Sequence, residues 1–165
     1  MRRNGSRGVT LIELFFGLGL VAVLAGLAAP GWRSALRAGA VRSATFELMA
    51  GLQQTRARSI VEARPGILCL SDSAGNCLGT EGPASAWASF LDVKGSPVPL
   101  AGRSLGAGVT LRASRPQLTF WPDARAASTG TLTICDTQGV AAPRAIVLSQ
   151  TGRARLEAPV ANACR

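Results

Sequence analysis

An apolar run of 21 residues, Val9 to Ala29, constrains the fold of this chain more than any other feature. It follows Gly8 and contains a single charged side chain, Glu13. The run is long enough to span a bilayer once as a helix. A carboxylate in hydrocarbon costs about 2–4 kcal/mol, so it persists there mainly where it has a partner. The run therefore predicts a membrane-spanning helix in which Glu13 has a specific role.

The segment Gly8-Val9-Thr10-Leu11-Ile12-Glu13 resembles the processing site of type IV pilins and type II secretion pseudopilins. The resemblance implies that a prepilin peptidase cleaves between Gly8 and Val9 and methylates the new amino terminus, although the family usually has phenylalanine where Val9 stands. It also implies that Glu13 neutralises the amine of a neighbouring subunit in a filament. Such pairing relieves two desolvation penalties and sets the register of the subunits.

Two other interpretations of the apolar run remain. An ordinary signal anchor would carry Glu13 without a role, and a secretory signal peptide would have an apolar core of about 7–15 residues before an Ala-x-Ala site. Arginines flank the run on both sides, so the charge asymmetry that orients membrane helices is weak. These are Arg2, Arg3, Arg7, Arg33, Arg37 and Arg42. The resemblance, more than the charge, implies a single pass through the inner membrane and a periplasmic head that later joins a filament at the cell surface.

Composition narrows the classes of function. The chain has no histidine, which excludes imidazole acid–base catalysis and His-ligated metal sites. No nucleophile–base pair or metal cluster is visible, so we expect neither an enzyme nor a cofactor. The formal charge is +9, and 17 of the 18 basic residues are arginine. Either a GC-rich genome or selection for anionic partners would produce this bias, since the planar arginine fork binds phosphate with two hydrogen bonds.

Four cysteines suit an oxidising compartment such as the periplasm. They are Cys69, Cys77, Cys135 and Cys164, and they allow three pairings. We favour Cys69–Cys77, which closes a short loop, and Cys135–Cys164, which holds the carboxyl terminus close to the head. A zinc site is the alternative, although the spacing between Cys69 and Cys77 does not fit a zinc knuckle.

The pattern after the apolar run predicts that the helix continues. Pro30 is expected to kink the helix rather than end it, and Arg64-Pro65-Gly66 is expected to stop it. Between them, apolar residues recur at steps of three and four along an amphipathic half. This stripe consists of Val41, Ala44, Leu48, Leu52 and Ile60, and we expect it to be buried against the head.

Beyond Gly66, short apolar or alternating segments separated by Gly, Pro, Ser and Asp predict an antiparallel sheet. The predicted strands are 67–70, 87–93, 109–112, 117–121, 129–135 and 144–149. Trp87 and Trp121 are expected in the core, with a platform for stacked bases as the alternative; Trp32 is expected near the membrane surface or a subunit contact.

The predicted fold is α+β and type IV pilin-like, with a long N-terminal helix packed on an antiparallel β-sheet head. Its parts are a cleaved leader (1–8), a membrane or filament-core helix (9–29), an amphipathic helix (30–63) and a β-rich head (64–165).

Near the carboxyl end, an apolar segment leads into Gly152 and then into Arg153 and Arg155. In an extended strand these two arginines lie on one side, about 6.5–7 Å apart. Gly152 permits a turn or a close approach before them. Two guanidinium groups with this spacing can each bind a phosphate of a nucleic-acid strand, in a salt-sensitive way that does not read sequence. The alternative is that Arg153 and Arg155 are merely solvated at the end of a strand and bind no ligand.

Three segments of this half are similar to the FimT branch of the GspH/FimT family of minor pilins. They are Phe120-Trp121-Pro122, Gly130-Thr131-Leu132-Thr133-Ile134-Cys135-Asp136 and Gly152-Arg153-Ala154-Arg155. Some members of this branch bind DNA through a Gly-Arg-x-Arg motif during natural transformation. The resemblance therefore implies that Gly152, Arg153 and Arg155 contact double-stranded DNA. Arg144 and Arg165 are additional candidates, because Arg144 lies in the head and a Cys135–Cys164 bridge would hold Arg165 near the sheet. It implies other major and minor pilins, the prepilin peptidase and the inner membrane as further partners.

Other arginines of the head would widen this site if they shared its face, and a solvated surface position is the default for each. They are Arg103, Arg112, Arg115 and Arg125. The alternative function is structural: a minor pilin or type II secretion pseudopilin that primes filament assembly and binds no nucleic acid. Glu13 does not separate the two functions, because both kinds of subunit carry it.

Overall fold

The structure is a computed structural model that describes residues 10–79, 81–123, 126–159 and 163–164, and for 27–30 the backbone only. The chain divides into two compact units, Met1–Leu36 and Arg37–Arg165. One helix, α1 (Leu11–Val61), contributes to both units. The strands of the second unit are β1 (Gly66–Ser71), β2 (Ala86–Val93), β3 (Ser96–Ser104), β4 (Val109–Ala113), β5 (Gln117–Phe120), β6 (Gly130–Asp136), β7 (Arg144–Leu148) and β8 (Ala154–Glu157).

The first unit presents an apolar helix whose first turn contains Glu13. Thr10 caps this helix, since its Oγ1 accepts a hydrogen bond from the Glu13 N–H at 3.4 Å. The large apolar side chains between Leu11 and Leu24 are all more than half exposed, and a continuous apolar surface of this kind needs a membrane or a partner to cover it. In the described part of the chain no single helix is long and apolar enough to cross a membrane, whereas Leu11–Gly26 and Gly31–Val61 taken as a pair qualify by length and composition alone.

In the second unit, one side of α1 is buried. Its buried residues are Val41, Ala44, Thr45, Leu48, Gly51, Leu52, Thr55 and Ser59. The prediction for Ile60 is wrong, because this side chain is 41% exposed. With 3.6 residues per turn, the face that holds Leu52 continues to positions 55 and 59, and position 60 is rotated away from it.

The end of α1 coincides with the predicted stop. Ala63 adopts a left-handed φ of +51°, and the Arg64 N–H donates to the Ser59 carbonyl at 3.1 Å. This is the Schellman arrangement that satisfies the last carbonyls of a helix. As expected, the helix does not end at position 30. The side chain of Pro30 is not among those that the structure describes, so the expected kink stays a prediction.

In the part of the chain that the structure describes, eight strands form two four-stranded antiparallel sheets. Sheet A has the order β3-β2-β1-β5, and sheet B has the order β4-β6-β7-β8. Ala84 and Leu111 exchange two backbone hydrogen bonds, at 2.8 and 2.9 Å, that join the segment before β2 to β4. The buried side of α1 and one face of each sheet contribute to a single hydrophobic core. The predicted α+β class, with a helix packed on antiparallel strands, is therefore confirmed.

Close packing of α1 on sheet A depends on one glycine. A Cβ on Gly51 would overlap the ring of Trp87, which is buried on β2. Only a residue without a side chain allows helix and ring to approach this closely. The core position predicted for Trp87 is thus confirmed, and Gly51 explains how a large ring fits beneath a helix.

The sequence patterns missed two edge strands and misplaced one tryptophan. β3 contains Pro97 and Pro99, which lack an N–H but are tolerated because β3 pairs only with β2. β8 has only four residues, and three of them are exposed. Trp121 is 44% exposed, contrary to the prediction, because Phe120 before it points into the core and successive strand residues alternate between faces.

Candidate functional site

The β7–β8 hairpin carries the two arginines that the sequence singles out. Its turn is closed by two hydrogen bonds: Gly152 N–H donates to the Ser149 carbonyl at 2.8 Å, and Ser149 N–H donates to the Arg153 carbonyl at 3.1 Å. Gly152 has a φ of +73°. This left-handed conformation closes three-residue hairpin loops, and glycine adopts it without steric cost. The turn expected at Gly152 is therefore present.

The turn is seated against α1 and the loop that follows β5. A Cβ on Gly152 would lie 3.1 Å from Nε of Arg56 and 3.5 Å from Cβ of Ala127. The Ala127 N–H also donates to the Gln150 carbonyl at 2.7 Å. Nothing in the sequence pattern signals Arg56, because helical periodicity does not reveal contacts with a segment almost a hundred residues away along the chain.

Arg153 and Arg155 are both exposed. Arg155 lies in β8 opposite Val147, whereas Arg153 precedes the strand by one residue and lies opposite Ser149. The guanidinium group of Arg153 has no partner among the described residues. Arg155 Nε lies 2.5 Å from Glu157 Oε1, with side chains 66% and 42% exposed. Sequence reasoning missed this ion pair, although the spacing of two residues along a strand places both groups on one face.

Strand register defines the outer face of sheet B, the face that points away from the core. Arg155 is opposite Val147, and Val147 is opposite Thr131. Such a set of directly opposite residues forms a row across the sheet. In the next row, Arg112 is opposite Thr133, Thr133 is opposite Ala145, and Ala145 is opposite Glu157. Residues directly opposite one another share a face, so Arg112 and Arg155 lie on the same outer face at its two edges.

The carboxyl end of the chain also reaches this outer face. A disulfide joins Cys135 to Cys164, with the Cα atoms 5.7 Å apart, and Cys135 is two residues from Thr133 on the same side of β6. Thr133 and Ala145 are buried although they point outward, and Ala163 lines a cleft together with Thr133. Arg165, an additional candidate for DNA contact, lies outside the described residues.

The remaining predicted arginines are dispersed. Arg144 is the first residue of β7 and lies opposite Ile134. Because side chains alternate along a strand, Arg144 belongs to the face opposite to that of Arg155. Arg103 lies in sheet A, where its Nε is 3.4 Å from Glu47 Oε2 on α1. Arg115 is exposed just beyond β4. Gly8, Val9 and Arg125 are outside the described residues, and Glu13 belongs to the first unit.

The second disulfide joins Cys69 to Cys77, again with Cα atoms 5.7 Å apart. These two pairs are the ones favoured from the sequence. In the loop between them, the side-chain amide and backbone N–H of Asn76 and the Ala74 N–H bind the Asp72 carboxylate. These hydrogen bonds, that from the Asn76 side chain above all, lower the pKa of Asp72. In the part of the chain that the structure describes, no group of His, Cys, Asp and Glu side chains could hold a metal ion.

A buried carboxylate anchors the end of β6. Asp136 accepts hydrogen bonds from the backbone N–H groups of Gln138, Val140 and Ala141 at 2.8–3.3 Å. Its Oδ1 lies 3.8 Å from Nη1 of Arg37 on α1. Burial raises the pKa of Asp136, but the three N–H donors and the Arg37 charge together lower it below its ordinary value.

The chain matches one family and several solved structures. A family model described as type II transport protein GspH matches residues 44–152. The type IV minor pilin FimU of Pseudomonas aeruginosa (strain PAO1) is 23% identical with a TM-score of 0.55, over 71% of this chain and 87% of that chain. The minor pseudopilin EpsH of the Vibrio cholerae type 2 secretion system is 12% identical with a TM-score of 0.57, over 72% and 97%.

The Escherichia coli GspH structure is 15% identical with a TM-score of 0.55, over 76% of this chain and 92% of that chain. No curated protein sequence matches the chain. At these identities the solved structures show the fold, and the family model covers more than half of the chain. The chain therefore belongs to the GspH family, and it shares its fold with a minor pilin of a type IV pilus and a minor pseudopilin of a type II secretion system.

Proposed function

We propose that this chain is a minor type IV pilin that binds DNA without sequence preference through Arg153 and Arg155 and supports DNA uptake in natural transformation. The observation that carries the proposal is the exposed position of both arginines on one hairpin, whose turn depends on Gly152. Guanidinium groups bind phosphate oxygens with charge-assisted hydrogen bonds. A site of this kind binds by charge and is weakened by salt.

The ion pair between Arg155 and Glu157 is compatible with phosphate binding. Exposed pairs of this kind contribute only about 0–1 kcal/mol, because water and salt screen them. A phosphate can replace the Glu157 carboxylate as partner of Arg155 at little cost. Arg153 has no described partner to displace. Of the two, we expect Arg153 to contribute more to binding.

Titration of a DNA duplex against the full chain in a non-ionic detergent tests this function. Binding should weaken as salt rises, and Arg153→Ala with Arg155→Ala should lower the slope of log K against log salt by about 0.9 for each phosphate that is no longer neutralised. Lys94→Gln with Arg64→Gln removes the same charge away from the hairpin and should leave the slope nearly unchanged. No binding at low salt, or equal decreases in affinity for both double variants, would refute the DNA-binding function.

One observation favours the structural alternative. Glu157 neutralises Arg155, so the hairpin carries less net charge than the Gly-Arg-x-Arg pattern suggests. If the chain binds no DNA, the function that remains is a subunit, of a pilus or of a type II secretion pseudopilus, that helps to initiate the filament. Deletion of the gene, complemented by the Arg153→Ala/Arg155→Ala variant, separates the two functions: a structural subunit with altered arginines restores pilus assembly and DNA uptake alike.

The same proposal includes processing and location. A prepilin peptidase cleaves between Gly8 and Val9, segment 9–29 anchors the subunit in the inner membrane with a periplasmic head, and Glu13 pairs with the Val9 amine of a neighbouring pilin during assembly. The exposed apolar surface from Leu11 to Leu24 supports burial in lipid or in a filament. Mass spectrometry of the protein from its host should find a chain that begins at methylated Val9, and an intact amino terminus would contradict this.

A further inference from the structure

We infer that Trp121 holds an unpaired base of DNA beside the arginine hairpin, so that the chain prefers DNA with a single-stranded stretch to a fully paired duplex. This inference rests on the proposed DNA-binding function and names the form of DNA that the site takes. Trp121 follows β5 directly and is 44% exposed. An exposed indole presents a flat apolar face, which is the kind of surface on which nucleic-acid bases stack.

The ring of Trp121 is not engaged in a polar or aromatic contact. Its backbone N–H donates to the Ala126 carbonyl at 3.1 Å, but its side chain has no hydrogen bond, ring contact or cation contact among the described residues. The ring of Trp87, by contrast, is packed beneath α1 against Gly51. Of these two tryptophans, Trp121 is therefore the one that can offer its ring to a ligand.

The backbone connects Trp121 to the turn of the hairpin through Ala127. This residue forms an antiparallel bridge with Phe120, the neighbour of Trp121. On its other side, the Ala127 N–H donates to the Gln150 carbonyl at 2.7 Å. Each of these two steps is about one strand spacing, so about 10 Å separates the end of β5 from the turn.

This distance limits how far the indole lies from the arginines. Trp121 is one residue beyond Phe120, and Arg153 is three residues beyond Gln150 in a tight turn. The backbone positions of Trp121 and Arg153 are therefore about 20 Å apart at most. Stacked nucleotides advance about 3.4 Å along a strand, so this separation corresponds to about six nucleotides at most. A strand whose phosphates contact Arg153 thus passes close to the indole.

The chemistry of the indole selects for an unpaired base. In a duplex the bases stack on one another and present only their edges in the grooves, so an aromatic side chain finds no free face. In an unpaired stretch the faces are free, and stacking on an aromatic ring stabilises the complex whatever the base is. The arginines attract phosphate, and Trp121 adds a contact that only an unpaired base provides.

The experiment uses the full chain in a non-ionic detergent and two duplexes that differ only in an overhang of about ten nucleotides. One overhang consists of thymidines and the other of stable abasic sites, so both ligands carry the same number of phosphates. The wild type should bind the thymidine overhang about five-fold or more tightly, as expected for one stacked base. Trp121→Ala should remove this difference, and Trp121→Phe, which keeps an aromatic ring, should retain part of it.

Two controls distinguish stacking from effects of charge and of surface hydrophobicity. Trp121→Ala removes no charge, so the slope of log K against log salt should stay that of the wild type. Val140→Ala changes another exposed apolar side chain. Val140 lies in the loop before β7, whereas the hairpin turn follows β7 at the other end of sheet B. This variant should keep the wild-type difference between the two overhangs.

The outcomes separate this inference from the function on which it rests. If the wild type binds neither ligand, both are refuted. If it binds both overhangs equally, or if Trp121→Ala keeps the wild-type difference, the DNA-binding function stands and the stacking contact is refuted. Equal decreases in affinity for both ligands in Trp121→Ala would also overturn the inference, because they would indicate that the ring supports the hairpin rather than a base. A selective loss for the thymidine overhang supports it.

Discussion

At the scale of single residues, the arginines of the head include some that contact a carboxylate and others that face solvent. Arg37 contacts Asp136, and Arg103 contacts Glu47, so both tie α1 to a sheet. Arg153 has no described partner. Sequence alone does not reveal this division, because an arginine that joins two elements and one that faces solvent are identical in the sequence. The candidate site could therefore be predicted at Gly152, Arg153 and Arg155, but the ion pair of Arg155 with Glu157 could not.

Asp136 should make the stability of the head depend on pH. Its pKa is lowered in the folded state, so it contributes stability above its ordinary pKa, and this contribution is lost as the pH falls through the lowered value. Asp136→Asn should cost about 1–3 kcal/mol at neutral pH, since buried N–H groups lose a charged acceptor. Thermal unfolding between about pH 5 and pH 2 checks this: the variant should lose less stability than the wild type, and parallel curves would contradict the assignment.

Gly152 should tolerate alanine less well than another glycine with the same backbone conformation. Gly152 and Gly139 have φ values of +73° and +67°, so alanine at either should cost about 1–2 kcal/mol in backbone strain. A Cβ at Gly152 would also crowd Arg56, whereas a Cβ at Gly139 meets nothing within 4 Å. Urea unfolding should therefore show a larger decrease in stability for Gly152→Ala than for Gly139→Ala. Equal decreases would mean that the proximity of Arg56 does not constrain the turn.

At the scale of elements, the long helix and the strands with regular patterns were predictable, and the edge strands were not. The helix and the six predicted strands have uninterrupted apolar patterns that follow a helical or a strand period. The pattern of β3 is broken by Pro97 and Pro99, and β8 is a short, polar strand that exists because β7 offers it an edge. The core position predicted for Trp121 was wrong because the prediction relied on the size of its apolar ring. The alternation of side chains along a strand, which places Trp121 on the face opposite to Phe120, was not considered. The local sequence pattern thus identifies helices and strands that bury an apolar face. It misses edge strands, which form because a neighbouring strand offers them hydrogen bonds.

The packing of α1 on sheet A gives a prediction with an internal control. Gly51→Ala should destabilise the protein by about 1–3 kcal/mol, because the added methyl group overlaps the buried Trp87 ring. Gly39→Ala, on the same helix with nothing within 4 Å of the added Cβ, should stabilise it by up to about 1 kcal/mol. Chemical unfolding of both variants checks the difference in sign. A stabilising Gly51→Ala would show that the helix and the ring do not approach as closely as described.

At the scale of the whole molecule, two covalent links limit how far the head can open. Cys135–Cys164 spans 29 residues and Cys69–Cys77 spans 8. The first fixes the carboxyl end on the outer face of sheet B, beside the proposed DNA site. The second closes a loop at the end of β1. Their effects on stability should therefore differ in size.

By loop-closure entropy, the longer link should contribute about 3–4 kcal/mol and the shorter about 2–3 kcal/mol. Replacement of each pair of cysteines by serine, followed by thermal unfolding, should show the larger decrease in stability for Cys135 and Cys164. If removal of Cys69 and Cys77 were the more damaging change, packing around β1 rather than chain entropy would dominate.

The exposure of Trp121 gives the protein a built-in optical reporter. The chain has no tyrosine and three tryptophans, so nearly all of its ultraviolet emission comes from Trp32, Trp87 and Trp121. Trp87 is sealed in the core, whereas Trp121 is exposed and its backbone N–H donates to the carbonyl of Ala126, next to the residue that holds the Gln150 turn. Replacing Trp32 with phenylalanine would leave one shielded and one solvent-facing emitter. Quenching of the red-shifted component on addition of DNA would then report occupancy of the hairpin without any attached dye.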